Sequence, residues 1–145
     1  MATFKALEEI KVWGKARLLV RETYFISDRG LFARDFGLRD QIRRASVSIA
    51  SNIAEGFERD GNAEFIQFLS LAKGSAGEVK TQLHIAFDVG FIDIATLHRL
   101  HENIDQISRM IGCLMDYLRQ TEAKGRKFVR PNLNSERGTR NAKRC

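Results

Sequence analysis

Proline and cysteine are nearly missing from this chain: among 145 residues there is one proline, Pro131, and two cysteines, Cys113 and Cys145. That excludes a collagen-like repeat and a disulfide-stapled scaffold. The cysteines form no Cys-x-x-Cys pair, so reduced thiols are the expectation. No window approaches the roughly 18 uninterrupted apolar residues of a membrane-spanning helix. The opening Met1-Ala2-Thr3-Phe4-Lys5 lacks the apolar core of a signal peptide, and Ala2 stands where myristoylation requires glycine. A cytoplasmic protein with no membrane contact is expected. There is also no Gly-rich phosphate loop and no nucleophile beside a base. No glutamate has a histidine three positions later, which closes the di-metal carboxylate class of helical bundles. His98 and His101, with Glu102, fall within one turn, and His84 is isolated. Solvent-facing or structural roles fit them better than a metal site. No cofactor, no metal and no enzymatic reaction are expected.

What the chain does have is charge and apolar periodicity. Apolar residues make up 43% and charged residues 29%, so it can fold, and its length fits one domain. The formal charge of +6 is unevenly placed. After Gln120 come eight bases, Lys124, Arg126, Lys127, Arg130, Arg137, Arg140, Lys143 and Arg144, against Glu122 and Glu136. Residues 1–120 retain sixteen of the 24 bases and sixteen of the 18 acids. The expectation is a neutral folded body over residues 1–120 and a flexible, basic tail over 121–145. Such a tail can contact phosphate through charge alone.

Long helical patterns dominate the body. The first runs from about Ala6 to Ser27, with Leu7, Ile10, Trp13, Val20 and Tyr24 near one face and Val12, Ala16, Leu19 and Thr23 beside it. Ser27-Asp28-Arg29-Gly30 breaks it. The second starts at Asp35 or Gly37 and runs to Arg59, with Leu38, Ile42, Ala45, Ile49 and Ile53 on one arc. A second apolar arc, Val47, Ala50, Ala54 and Phe57, calls for another layer of neighbours. The third is announced by Asp60-Gly61-Asn62 and runs from Ala63 to Val89, where Gly90 fits a left-handed cap. Its core face is Phe65, Leu69, Ala72, Ala76, Val79, Leu83 and Phe87. Beside it runs a small-residue column, Ser70, Gly74, Gly77 and Thr81, whose interior glycines suggest close approach by another helix. Asp93 can cap the fourth helix, in which Leu97, Leu100, Ile104, Ile107, Ile111, Leu114 and Leu118 form a heptad seam. Short connections make the neighbours antiparallel. The fold class is all-α, an up-down-up-down four-helix bundle.

Two polar features remain. Ser48, Asn52 and Glu55 share an arc of the second helix, and Gln67, Ser75, Glu78 and Gln82 share one of the third. Facing each other, they would form a network that fixes register, because slippage strands buried polar groups. Arg39, Arg43 and Arg44 cluster at the start of the second helix, with Arg34 upstream. They suit phosphate, an acidic partner surface, or local ion pairs.

The run Phe36-Gly37-Leu38-Arg39-Asp40-Gln41-Ile42-Arg43-Arg44-Ala45-Ser46-Val47-Ser48-Ile49-Ala50-Ser51-Asn52-Ile53-Ala54-Glu55-Gly56, followed by Glu64-Phe65-Ile66-Gln67-Phe68-Leu69 and Ala72-Lys73-Gly74-Ser75-Ala76-Gly77-Glu78, resembles the bacterial four-helix bundle family named for proteins encoded within intervening sequences of 23S ribosomal RNA genes. With Trp13 the likeness covers about residues 4–120 and leaves out the tail. The resemblance implies a ring-shaped homopentamer and no catalytic residues. It also relates the chain to accessory proteins of diversity-generating retroelements, which engage nucleic acid and a reverse transcriptase.

The reading that results is a non-catalytic homo-oligomer, five-fold by resemblance, that contacts RNA or DNA, or a nucleic-acid enzyme such as a reverse transcriptase. Arg39, Arg43, Arg44 and the tail bases would contact nucleic acid. Val47, Ala50, Ala54, Phe57, Ser70, Gly74 and Gly77 would form the subunit interface. The alternative is a protein-partner adaptor with no nucleic-acid role. An enzyme with an acid/base pair at Glu55 and Glu78 would need both carboxylates in one pocket.

Overall fold

The computed structural model describes the backbone of residues 4–125 and the side chains of 4–121. After a 3-10 turn at Leu7–Glu9 come helices α1 (Lys11–Ser27), α2 (Gly30–Arg34), α3 (Phe36–Glu58), α4 (Asn62–Asp88) and α5 (Ile94–Gly125). The four long helices are joined by short connections. α3 packs most extensively on α4, α4 on α5 and α1 on α3, while α1 and α5 meet more sparsely. This is the expected all-helical bundle, with no strand among the described residues.

Helix ends follow from local chemistry. The Asp35 carboxylate accepts from the Leu38 amide at 3.0 Å and opens α3, and Asp93 accepts from Thr96 at 2.8 Å and opens α5. The Thr96 hydrogen bonds hold the Asp93 carboxyl below its ordinary value, since they favour its charged form. α4 ends in paired cap bonds, Gly90 N to Phe87 O at 3.0 Å and Phe91 N to Ala86 O at 2.8 Å. Their geometry needs the positive φ of 82° at Gly90. Asn62 does not cap its own helix. Its amide donates to the Leu118 carbonyl at 3.1 Å and ties α4 to α5.

The core comprises Ile42, Ile49 and Ile53 of α3, Leu69, Val79 and Leu83 of α4, and the α5 seam from Leu97 to Leu118, all buried. In α1 the core is Val12, Ala16, Leu19, Thr23 and Ile26, whereas Trp13 is half-buried and Tyr24 is 45% exposed. The arc containing Trp13 and Tyr24 is therefore the flank. The cause is the helix start: Leu7 lies in the 3-10 turn and Ile10 is the extended residue before Lys11, so their phase does not continue into α1. The stretch after Ser27 contains α2, which inserts Phe32 (0% exposed) under the bundle end, its ring 5.3 Å from Phe91. At the other end Gly56 allows α3 and α4 to touch. A β-carbon there would lie 2.9 Å from both Phe65 Cδ1 and Phe68 Cβ.

Cys113 is half-buried on α5 and is not a free cysteine, so the expectation of a reduced thiol does not hold for it. α5 continues to Gly125 and so carries Lys124 on its last turn. No helix of the described residues is long and apolar enough to cross a membrane.

Candidate nucleic-acid interface

The three clustered arginines divide into two that hold the fold and one that is free. Arg43 donates from Nε to Ser27 Oγ at 2.8 Å, and its guanidinium lies 4.5 Å over the Tyr24 ring and 4.0 Å from Asp28. A chain of hydroxyls continues beneath it. The Thr23 and Ser46 hydroxyls meet at 2.9 Å, and Ser46 donates to the Arg43 carbonyl at 3.0 Å. This network joins α1 to α3 and satisfies every buried hydroxyl it contains. Arg39 donates to the Ala33 carbonyl at 3.1 Å, pairs with Asp40 at 3.3 Å and lies over Phe36. It fastens α2 to α3. Arg44 is exposed and enters no ion pair among the described residues. Of the tail bases, Arg126, Lys127, Arg130, Arg137, Arg140, Lys143 and Arg144 lie outside the described residues, and nothing is described of the Lys124 side chain.

The expected network between α3 and α4 forms only in part. Ser75 donates to Ser48 Oγ at 3.0 Å, and the Asn52 amide donates to Ser48 O and Oγ at 2.8 and 2.9 Å. Glu55, Gln67 and Glu78 are exposed and stay out of it. Glu55 pairs with Arg59, one turn along its own helix, at 2.8 Å. That bond raises the Arg59 pKa above its ordinary value. An acid/base partnership of Glu55 and Glu78 therefore finds no support. Gln82 is buried and its Oε1 has no hydrogen-bond partner among the described residues, which costs on the order of 1–3 kcal/mol.

The residues assigned to a subunit interface also divide. Ala50, Ala54 and Phe57 are half-buried by the chain itself, and the Phe57 ring is 6.4 Å from that of Phe65. Val47 is 41% exposed. Ser70, Gly74 and Gly77 are exposed, and a β-carbon on either glycine would meet nothing within 4 Å. Among the described residues, no helix comes within 4 Å of a β-carbon at Gly74 or Gly77.

Histidines join α4 to α5. His84 Nε2 and His101 Nδ1 are 3.0 Å apart, His101 Nε2 is 3.1 Å from Asp105, and Asp105 also meets Lys80 at 2.8 Å. The Lys80 hydrogen bond, only partly opposed by burial, holds the Asp105 carboxyl below its ordinary value, with further help from the charges of Lys80, His101 and Arg109. No group of three or more metal-binding side chains occurs among the described residues.

Sequence reasoning missed the basic, aromatic surface that wraps α1. Three concavities adjoin there. One, of about 640 Å³, lies between α1 and α5 and is lined by Lys15, Arg21, Phe25 and Arg99. A second, of about 440 Å³, shares Arg21 and Phe25 and adds Tyr24, Arg29 and Arg43. The third, of about 660 Å³, shares Tyr24 and Arg43 and reaches Arg44 on α3. The available signal was the closeness of Phe25 and Arg29 at the end of the first helical pattern; here the guanidinium lies 3.7 Å from the ring centroid.

A family model for the 23S rRNA-intervening sequence protein matches residues 8–113. No curated protein matches. Among solved structures, a protein of unknown function from the S23 ribosomal protein family of Bacteroides thetaiotaomicron is similar, with a TM-score of 0.66 and 20% identity over 72% of this chain and 97% of that one. At that identity the likeness concerns the fold alone. Through the match to residues 8–113, which spans most of α1 to α5, the chain belongs to the 23S rRNA-intervening sequence protein family.

Proposed function

We propose that this chain is a non-catalytic binding module that assembles with copies of itself, as a pentamer, and contacts RNA or DNA, alone or together with a nucleic-acid enzyme such as a reverse transcriptase. The observation that carries the assembly is the bare column on α4. Interior glycines at 74 and 77 cost roughly 1 kcal/mol each relative to alanine, and no helix among the described residues uses the space they leave. Leu71, 57% exposed, lies on the same side of α4. A second copy seated there would convert the glycines into a close helix contact. Five tails in one particle would add their charge in one place, and Arg44 supplies a cation on the body with no ion pair among the described residues.

A protein-partner adaptor is the second reading. Leu31 and Phe36, each 63% exposed, offer an apolar surface beside α2 that a partner protein could cover.

Light-scattering mass of the full chain, with and without RNA at two salt concentrations, tests the proposal. The expected result is a mass several times 16.5 kDa that rises with RNA at low salt and returns at high salt. A particle of one subunit that ignores RNA would overturn it. An oligomer that ignores RNA at low salt would favour the adaptor.

A further inference from the structure

The body of this protein is electrically neutral overall, yet the concavities around α1 are not. Their lining contributes six bases, Lys15, Arg21, Arg29, Arg43, Arg44 and Arg99, against three acids. Each acid already has an arginine partner: Glu22 meets Arg99 at 3.0 Å, Asp28 is 4.0 Å from Arg43 and Asp40 is 3.3 Å from Arg39. Lys15, Arg21, Arg29 and Arg44 have no carboxylate partner among the described residues. Unpaired cations on a continuous concave track are what a phosphate backbone needs.

The same track displays two aromatic rings at its centre. Phe25 is 54% exposed and Tyr24 is 45% exposed. Each has an arginine over one face, Arg29 at 3.7 Å and Arg43 at 4.5 Å. Exposed rings cost free energy in water and are normally turned inward or covered. A ring backed by a guanidinium, with cations on either side, is a platform for a flat π system attached to a charged chain. An acidic peptide would use the cations but not the ring faces. A duplex would present its phosphates but keep its bases stacked on one another.

We infer that the trough around α1 binds single-stranded nucleic acid, with Phe25 and Tyr24 stacking on unpaired bases while Lys15, Arg21, Arg29 and Arg44 hold the phosphates. The inference rests on the nucleic-acid reading above and narrows it to one surface and one form of ligand. From Lys15 to Ser27 the helix rises about 18 Å, room for several nucleotides. Arg43 is a positioning residue here, since its bond to Ser27 fixes the face of Tyr24.

The test measures two polyanions in parallel against the full chain by fluorescence anisotropy. One is a labelled oligouridylate of about a dozen nucleotides, within the usual site size of single-strand binders. The other is a heparin fragment, which is charged but has no bases. Phe25→Leu is expected to weaken oligouridylate binding roughly 5-fold or more and to leave heparin binding within about 2-fold. Phe25→Trp should restore the RNA affinity. Thermal melts of the variants control for folding, which a half-exposed side chain should barely affect. Equal loss for both polymers, or loss for neither, would overturn the stacking surface while leaving charge-driven nucleic-acid binding intact. Failure of the unaltered chain to bind the oligouridylate at low salt would overturn both.

Discussion

The α3–α4 pair and the α1–α5 pair are both antiparallel helix contacts in one small bundle, and they are built in opposite ways. Between α3 and α4 a glycine at position 56 brings backbone against the Phe65 and Phe68 side chains, and Ser48, Asn52 and Ser75 close the edge with short hydrogen bonds. Between α1 and α5 a groove of about 640 Å³ stays open, bridged by Arg99 to Glu22 at 3.0 Å and Lys15 to Gln106 at 3.3 Å. Close packing makes one contact a source of stability. The other leaves long side chains and Phe25 at the surface, where they can meet a ligand.

The contrast is broken most sharply by truncating one apolar side chain in each pair. Ile49→Ala, at a fully buried site on α3, should cost about 2–5 kcal/mol. Leu18→Ala in the groove, 58% exposed, should stay within roughly 0.5 kcal/mol. Denaturant melts of the two variants check this, and similar costs would show that the groove is closed in solution.

Glycine substitutions come next. Gly56→Ala places a methyl group at 2.9 Å from two side-chain atoms and should destabilise by about 1–3 kcal/mol through overpacking. Gly74→Ala meets nothing in its own subunit and should raise subunit stability by roughly 0.5–1 kcal/mol through helix propensity. A loss of oligomer mass in the same variant would place Gly74 at the contact between copies.

The opposite signs at Gly56 and Gly74 also show what the residue string could and could not reveal. It singled out Gly74 and Gly77 as sites of close approach and passed over Gly56, because a glycine's partner lies in tertiary structure. Helix starts at Asp35 and Asp93 and the stop at Gly90 were legible, since caps are local chemistry. Which of the two arcs of α1 faces the core was not legible, because Leu7 lies in a 3-10 turn and Ile10 is the extended residue before the helix, both outside its periodicity. α2 was missed for a different reason: its five residues are too few to show a period, and it is held by burial of Phe32. Glu55 was assigned to a buried network, but Arg59 one turn away offered a nearer partner. Tyr24 was placed on one apolar face of the first helix, and its 45% exposure is what reveals the trough.

Smaller effects sharpen the comparison at its polar edges. Arg99→Gln removes an ion pair whose side chains are 49% and 36% exposed, so it should cost under about 1 kcal/mol and nothing measurable at high salt. Across α4 and α5, Asp105 is held below its ordinary value, so its pairing with Lys80 contributes stability above the unfolded carboxylate value. That contribution is lost as pH falls through the lower folded value. The thermal midpoints of the unaltered chain and Asp105→Asn should therefore differ slightly at about pH 6, roughly two units above the ordinary aspartate value, and converge in stronger acid. A gap that widens with acid would refute the sign.

The central claim is that the loosely closed side of the bundle is its working surface, and ultraviolet cross-linking of the full chain to an oligouridylate addresses it most directly. Trypsin cuts after Arg21 and Arg29 and releases one peptide, Glu22 to Arg29, that contains both Tyr24 and Phe25. The nucleotide adduct is predicted on that peptide and should disappear when heparin competes. Adducts confined to peptides from residues 126–145, with Glu22 to Arg29 unmodified, would contradict it.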